Sequence, residues 1–294
     1  MPARERDVPI GDRIIRVREA GDPDGFPVLY FHGTPGSRLD LVWGETKAAD
    51  QAVRLVSFDR PGYGGSTPAP FGLRAVAADA GRVADALGLT TFATLGQSGG
   101  GPFAQATAVV APDRVLRVGV ASGAGPFTLV PGASDRLTEG DRAAQACLPG
   151  NPDAAARGFA AEFGPLASVL DEGDDAVMAG FEPSMSTRDR EIMGDHAIRT
   201  AVIASMREGL RPGVEGAAWD NVAWVGPWDF DVADVGCPVF LWYGEEDKMA
   251  PPAHGEWLHQ HLPHSVLVLR PGEGHFGIFD YFDDTLLALK SIPG

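Results

Sequence analysis

The sequence predicts an α/β fold in which a mostly parallel, doubly wound sheet has helices on both faces and an inserted helical cap. Three observations predict it: short apolar runs recur along the chain, segments with helical periodicity separate several of them, and one long stretch has no strand pattern. Strands that alternate with helices imply right-handed crossover connections, which build parallel sheets covered on both faces. At 294 residues, the chain is long enough for one large domain that carries an insertion.

The predicted strands are short runs rich in branched apolar residues, each with turn residues behind it. Their near-continuous apolarity is typical of strands buried on both faces of a parallel sheet. In chain order, the runs are Ile14–Val17, Val28–Phe31, Val53–Phe58, Phe92–Leu95, Val115–Ala121, Val239–Tyr243 and Val266–Leu269. We expect them to form one sheet.

Segments with helical periodicity lie between several of these runs. In Leu73–Leu87, the apolar residues Val76, Ala80 and Val83 recur at spacings of three and four, which places them on one face of a helix. The other predicted helices are Pro102–Val110, Ala197–Glu208, His254–His261 and Phe279–Lys290.

The region from about residue 125 to residue 235 breaks this alternation, since no buried strand is recognisable in it. Because it lies between two strands of the predicted sheet, we interpret it as a helical insertion over one edge of that sheet. The predicted domains are therefore a core of residues 1–124 and 236–294 and a cap of residues 125–235. The cap tryptophans fit core or hinge packing, and one of them is a candidate for facing a substrate pocket: Trp219, Trp224 and Trp228.

The charge balance limits the classes of partner. The chain has 24 Lys and Arg against 40 Asp and Glu, a formal net charge of −16, and such a surface repels nucleic acids and anionic membranes. Cys147 and Cys237 are far apart in unlike contexts, which argues against a disulfide framework or a zinc site. The amino terminus has no apolar stretch of signal-peptide length, and no segment has the roughly 20 apolar residues that cross a bilayer. We therefore expect a cytoplasmic protein with a small-molecule substrate.

One serine stands among glycines where an apolar run ends. The segment Gly96-Gln97-Ser98-Gly99-Gly100 has the pattern G-x-S-x-G and lies between a predicted strand and a predicted helix. In that context a sharp turn lifts the serine hydroxyl above the sheet, and the glycines let the strand and the helix approach each other. The start of the following helix supplies amide donors for a developing anion. Ser98 is therefore a candidate nucleophile.

Three further motifs follow predicted strands. Phe31–Gly36 reads FHGTPG, Leu241–Asp247 reads LWYGEED, and Gly272–His275 reads GEGH. Together with the serine motif, they resemble the α/β-hydrolase fold family, of the type that has a serine nucleophile and a cap. A fourth motif, Asp59–Ser66, resembles the family's D-x-P-G-x-G-x-S turn, which we interpret as structural because its glycines suit a tight loop.

The resemblance implies a catalytic triad of Ser98, Asp247 and His275. Their order along the chain matches this family and differs from the orders used by trypsin-like and subtilisin-like proteases. The resemblance also implies that the backbone amides of Thr34 and Gly99 form the oxyanion hole. His32, in the same FHGTPG motif as Thr34, is interpreted as a structural hydrogen-bonding residue.

These residues imply a hydrolase that cleaves an ester or related acyl bond of a small, largely apolar molecule and needs no metal or cofactor. Serine at position 98 disfavours haloalkane dehalogenases and epoxide hydrolases of this fold, which use aspartate there. Prolyl aminopeptidase-like enzymes, carbon–carbon bond hydrolases and cofactor-free haloperoxidases share the triad and stay open as alternatives. A ligand-binding or receptor protein without turnover is the alternative from another class, and the intact triad argues against it.

Overall fold

An eight-stranded sheet forms the centre of the structure, a computed structural model that describes residues 3–291. The strands are β1 (Arg4–Ile10), β2 (Arg13–Gly21), β3 (Phe26–Phe31), β4 (Val53–Phe58), β5 (Phe92–Gln97), β6 (Val115–Ala121), β7 (Val239–Gly244) and β8 (Ser265–Arg270). The helices are α1 (Glu45–Asp50), α2 (Leu73–Ala86), α3 (Gly101–Val110), α4 (Glu139–Gln145), α5 (Pro152–Glu172), α6 (Asp174–Phe181), α7 (Thr187–Gly194), α8 (His196–Gly209), α9 (Glu215–Trp224), α10 (Pro252–His261) and α11 (Ile278–Lys290).

The order of the strands determines where a ligand site can form. It is β1-β2-β4-β3-β5-β6-β7-β8, with β2 antiparallel to β1 and β4 and with every later pair of neighbours parallel. The order reverses at β3, because the chain runs from β3 outward to β4 and then crosses back to β5. In open α/β sheets, ligands bind outside the carboxyl ends of the strands at such a reversal. The FHGTPG loop after β3 and the serine turn after β5 meet there.

The predicted mostly parallel α/β sheet is confirmed. Each predicted strand lies within one of β2 to β8, and each predicted helix agrees with α2, α3, α8, α10 or α11 to within two residues at either end. The sequence does not predict β1, because its residues RERDVPI are mostly charged and only Val8 and Ile10 are buried. This pattern suits a strand at the edge of a sheet, where one side faces solvent.

Helices cover both faces of the sheet, as the sequence predicts. On one face, Val83 of α2 and Phe103 of α3 belong to the same hydrophobic cluster as Phe31 of β3. On the other face, Phe282 of α11 belongs to the cluster that contains Tyr30 of β3. Tyr30 and Phe31 are adjacent, and they lie in opposite clusters because successive side chains of a strand point to opposite faces.

The chain between β6 and β7 forms helices α4 to α9, and no strand lies among them in the described part of the chain. We call residues 125–235 the cap segment; these boundaries stay a prediction. Its helices pack in two small apolar clusters, one around Phe159 of α5 and one around Ile203 of α8. The second cluster includes Tyr63, which precedes the cap segment in sequence, so the segment packs on the core. None of the helices within residues 3–291 is both long and apolar enough to cross a bilayer.

Candidate active site

Ser98 occupies a sharp turn between β5 and α3. Its φ is 51°, in the left-handed region that costs a side-chain-bearing residue about 1–2 kcal/mol. A Cβ on Gly96 would overlap the carbonyl group of Gly100, and a Cβ on Gly100 would overlap the carbonyl group of Phe31 in the neighbouring strand. Only glycine fits at these two positions, which explains the G-x-S-x-G pattern in physical terms.

Asp247 and His275 follow the neighbouring strands β7 and β8 and form a buried pair. His275 Nδ1 lies 2.8 Å from Asp247 Oδ2. The other carboxylate oxygen, Oδ1, accepts the backbone N–H groups of Met249 at 2.8 Å and Ala250 at 2.9 Å. These bonds fix the carboxylate, so Nδ1 of His275 carries the proton that it donates to Asp247, and Nε2 is left as an acceptor.

The pKa of His275 lies above its ordinary value. Burial lowers this pKa, because a charged imidazolium loses its hydration. The charge of Asp247, its hydrogen bond and the charge of Asp189 raise the pKa, and together they outweigh the effect of burial. The site therefore stabilises a positive charge on His275.

His32, at the start of the FHGTPG loop, stays neutral and bonds to the backbone. Burial and the nearby charge of Arg60 hold the pKa of His32 well below its ordinary value. Its Nε2 accepts the backbone N–H of Arg60 at 3.4 Å, so Nδ1 carries the proton and donates to the Gly33 carbonyl oxygen at 2.8 Å. Both ring nitrogens are thus occupied, in agreement with the structural role interpreted from the sequence.

Ser98 and His275 line one cavity of about 160 Å³. The cap segment contributes the apolar side chains Phe181, Val202 and Met206 to its lining. Among the hydrogen bonds of residues 3–291, none joins Ser98 to His275. In sites without substrate, such bonds are often long and tighten only in the reacting complex. Ser98 therefore lines the same cavity as the histidine of the Asp247–His275 pair.

Thr34 and Gly99, the two residues predicted to donate to an oxyanion, lie against each other. A Cβ on Gly99 would overlap the Thr34 hydroxyl and would lie 3.1 Å from Nε1 of Trp224. The backbone N–H of Thr34 has no partner among the described backbone hydrogen bonds, which leaves it available to a ligand. Of the cap tryptophans, Trp224 is the one that approaches this point, and its indole N–H is buried without a partner in the described chain.

A fully buried carboxylate, Asp220 on α9, connects the cap segment to the FHGTPG loop. It accepts the Thr34 hydroxyl at 2.6 Å and Nε of Arg60 at 2.8 Å. Arg60, also fully buried, donates in turn to the carbonyl oxygens of His32 at 2.7 Å and Gly33 at 3.2 Å. The sequence does not predict this contact, because nothing near Asp220 distinguishes it from other helical acids.

A second fully buried carboxylate, Asp189 on α7, connects the cap segment to the histidine loop. It accepts the backbone N–H groups of His275 at 3.1 Å and Phe276 at 2.8 Å, and also that of Ser186 at 2.9 Å. Ser186 and Asp189 form a capping box at the start of α7. The three-residue spacing between Ser186 and Asp189 can be recognised in the sequence, but it predicts the start of a helix and not a contact with His275.

The Asp59–Ser66 turn is held by buried hydrogen bonds. Asp59 accepts the backbone N–H of Arg38 at 2.7 Å, its guanidinium at 2.8 Å and the N–H of Gly65 at 2.9 Å. This network fits the structural interpretation of the motif.

The two cysteines, Cys147 and Cys237, are free. No group of three His, Cys, Asp or Glu residues within residues 3–291 is placed to hold a metal ion.

Comparison with protein families and curated proteins gives matches over different parts of the chain. A family model described as alpha/beta hydrolase fold matches residues 27–281. A poly(3-hydroxyalkanoate) depolymerase of Ectopseudomonas oleovorans is 34% identical over 130 residues, which cover 43% of this chain and 46% of that protein. A dihydrolipoyllysine-residue acetyltransferase component of an acetoin cleaving system, from Cupriavidus necator, is 37% identical over 114 residues, 38% of this chain and 30% of that protein. The matches span less than half the length of either relative.

Solved structures resemble the chain over almost its whole length. An esterase of Exiguobacterium antarcticum has a TM-score of 0.72 at 19% identity, covering 98% of this chain and 100% of that one. A bromoperoxidase of Bacillus anthracis has a TM-score of 0.71 at 18% identity, covering 97% and 99%. The esterase RhEst1 of a Rhodococcus species has a TM-score of 0.66 at 20% identity, covering 98% of each chain. At sequence identities of 18–20%, these similarities show that the chain shares the fold of these proteins.

Proposed function

Because the chain belongs to the alpha/beta hydrolase fold family, we propose that it is a serine hydrolase that cleaves an ester or related acyl bond of a small, largely apolar molecule. The observation that carries the proposal is the cavity shared by Ser98 and His275, with Asp247 bonded to the far side of the imidazole. A serine hydroxyl is a weak nucleophile and needs such a base within reach. The similarity to a poly(3-hydroxyalkanoate) depolymerase and to two esterases supports ester cleavage.

In the proposed reaction, His275 Nε2 takes the Ser98 proton while the serine oxygen attacks the carbonyl carbon. Asp247 holds the imidazole in one tautomer and stabilises the imidazolium. The amides of Thr34 and Gly99 donate to the oxyanion, and removing one such donor costs roughly 3 kcal/mol in known cases. The leaving alcohol receives the proton from His275, and water, deprotonated by the same imidazole, then releases the acid from the acyl-enzyme.

We also propose that residues 125–235 act as a cap that limits the size of the acyl group, over a core of residues 1–124 and 236–294. Support comes from Phe181, Val202 and Met206, which the cap segment contributes to the cavity. The cavity of about 160 Å³ is close to the engineered cavity of about 150 Å³ that binds benzene, so an acyl group of about six non-hydrogen atoms fits. Short-chain esters are therefore the expected substrates.

A fluorophosphonate probe tests the proposed function. We expect the probe to label the protein and mass spectrometry of its peptides to place the label on Ser98. Ser122→Ala is the matched control, because Ser122 directly follows the next strand, β6, also has a positive φ (48°) and is buried outside the lining of the cavity. The control should label like the wild type. A wild-type protein that is not labelled would contradict the proposal and favour a ligand-binding protein without turnover.

Asp189→Asn is expected to move the acid side of the pH–rate profile. Catalysis needs neutral His275, and its raised pKa means that kcat/KM falls as the pH drops through a midpoint above 6.5. Because the Asp189 charge raises that pKa, its removal shifts the midpoint to lower pH. An asparagine also has a single acceptor oxygen for the loop amides, so kcat is expected to fall on the order of 10- to 100-fold through misplacement of the imidazole.

The control for this variant is Asp195→Asn, which removes the charge of another cap-segment acid. Asp195 accepts the amides of Ala197 and Ile198 at the start of α8, and within residues 3–291 it makes no hydrogen bond to the histidine loop. Both variants are measured by kcat/KM from pH 5 to 9 with p-nitrophenyl butyrate. An unchanged midpoint in Asp189→Asn, or an equal shift in the control, would remove Asp189 from this role.

A further inference from the structure

Two polar side chains of the cavity, Asp40 and Gln97, have no part in the proposed mechanism. Asp40 lies in the loop after β3 and Gln97 directly precedes Ser98, and both line the same cavity as Ser98 and His275. We call these two side chains the polar subsite. The rest of the lining beyond the proposed catalytic residues is mainly apolar, as with Val202 and Phe279. Two hydrogen-bonding groups in an apolar pocket fix the orientation and identity of what binds.

Hydrogen bonds from the protein leave part of the Asp40 carboxylate free. Oδ2 accepts the Tyr30 hydroxyl at 2.7 Å and the Gly33 N–H at 3.3 Å. An ionised carboxylate offers about four acceptor positions. Two donors therefore leave Asp40 able to accept at least one more hydrogen bond.

The same bonds determine what Gln97 presents. The Tyr30 hydroxyl lies 2.7 Å from Asp40 Oδ2 and 3.0 Å from Gln97 Oε1, so the carbonyl oxygen of the Gln97 side chain faces Tyr30. The NH₂ group of the same amide has no partner among the hydrogen bonds of residues 3–291, and it carries two donors. Gln97 therefore offers a ligand a hydrogen-bond donor next to the acceptor of Asp40.

The polar subsite therefore offers a ligand one acceptor, on Asp40, and one donor, on Gln97. An unsubstituted acyl chain would cover both groups and leave them without partners, at the cost of their hydration. A hydroxyl group donates one bond, accepts another and carries no charge into the cavity. A protonated amine also donates to Asp40, but it has no lone pair to accept from Gln97 and would lose its hydration in the cavity. A neutral donor fits these surroundings better.

We propose that the acyl group of the substrate carries a hydroxyl that donates to Asp40 and accepts from the side-chain NH₂ group of Gln97, so that the substrate class is esters of short hydroxy acids. This inference rests on the proposed ester hydrolysis and adds to it the polar group that the enzyme recognises. The acyl chain, its hydroxyl included, has about six non-hydrogen atoms, as the cavity of about 160 Å³ allows.

Matched methyl esters test the inference in the wild-type enzyme. The series is methyl butyrate, methyl 2-hydroxybutyrate, methyl 3-hydroxybutyrate and methyl 3-aminobutyrate, with kcat/KM measured by titration of the acid released. We expect at least one hydroxy ester to exceed methyl butyrate by about 10- to 100-fold, because a site built to bond a hydroxyl discriminates against the analogue without it. Equal rates for all four would overturn the inference, while hydrolysis itself and labelling of Ser98 would leave the proposed function standing. A preference for the amino ester alone would also overturn it and identify an ammonium site.

Asp40→Asn tests the residue that carries the preference. The asparagine oxygen can still accept from Tyr30 and Gly33, so its NH₂ group replaces the free acceptor with a donor. We expect the ratio of hydroxy ester to butyrate to fall to about one, whatever happens to the absolute rates. Gln97→Met removes the donor and is expected to lower the same ratio if the first variant does not fold. Val202→Ala, which alters the apolar wall, is the control and should change chain-length preference without changing the ratio. A ratio that survives both Asp40→Asn and Gln97→Met would overturn the assignment.

Discussion

Replacing Ser98 with alanine is expected to lower kcat for p-nitrophenyl butyrate on the order of 10⁶-fold, as in a serine protease that has lost its nucleophile. The hydroxyl has no substitute in this turn, since the residues on either side of Ser98 are Gln97 and a glycine, Gly99. Residual hydrolysis is expected from the oxyanion donors and the binding cavity alone. The measurement is steady-state turnover together with the thermal unfolding midpoint.

Stability separates this result from misfolding. Alanine at a φ of 51° has much the same backbone strain as serine, so the unfolding midpoint of Ser98→Ala is expected to stay close to that of the wild type. Ser122→Ala, in the comparable turn after β6, should keep wild-type turnover. Substantial activity in folded Ser98→Ala would show that another group performs the attack.

Asp247→Asn is expected to lower kcat on the order of 10⁴-fold, as the equivalent change does in a serine protease. The backbone amides of Met249 and Ala250 donate to Oδ1 of Asp247, so an asparagine keeps its carbonyl oxygen on that side. Its NH₂ group then faces Nδ1 of His275, where the carboxylate oxygen now stands. Nδ1 must become the acceptor, Nε2 carries the proton, and the imidazole can no longer take a proton from Ser98.

The control for Asp247→Asn is Glu246→Gln, since Glu246 is the adjacent acid and its side chain is exposed. This variant is expected to keep wild-type kcat. Fluorophosphonate labelling of Asp247→Asn should slow in parallel with turnover, because both need the serine oxygen to be activated by the same base. A loss of only a few fold in Asp247→Asn would mean that a different carboxylate orients the imidazole.

Features that depend on local backbone geometry are readable from the sequence. The buried strands β3, β5 and β7 are continuous apolar runs because both their faces are covered, and the turns after them require glycine where carbonyl groups approach. Ser98 and Asp247 follow two of these strands, and His275 follows β8, an apolar run that is only partly buried, so the strand prediction and the turn chemistry locate the three residues together. Strand β1 lacks this signal because it is an edge strand with mostly charged side chains.

Contacts between residues that are far apart in the chain cannot be predicted from local sequence patterns. Asp220 bonds to Thr34 across 186 positions, and Asp189 bonds to the amide of His275 across 86. Neither pair has a characteristic spacing, and an aspartate on a helix is normally exposed. Asp40 lies seven residues after Gly33 in a loop whose path the sequence does not determine. Asp220, Asp189 and Asp40 can be recognised as residues of the site only when the packing of the cap segment on the core is known.

The paired burial of Arg60 and Asp220 restricts how this enzyme could be recombined with its relatives. A chimera that grafts a foreign cap onto this core and omits Asp220 would leave the guanidinium of Arg60 enclosed without a counter-ion, a defect that costs about 3–5 kcal/mol. A graft without Asp189 would remove the carboxylate that accepts the backbone amides of His275 and Phe276. Libraries that vary substrate range by exchanging caps therefore need to preserve both acids, or to replace Arg60 with an apolar residue at the same time.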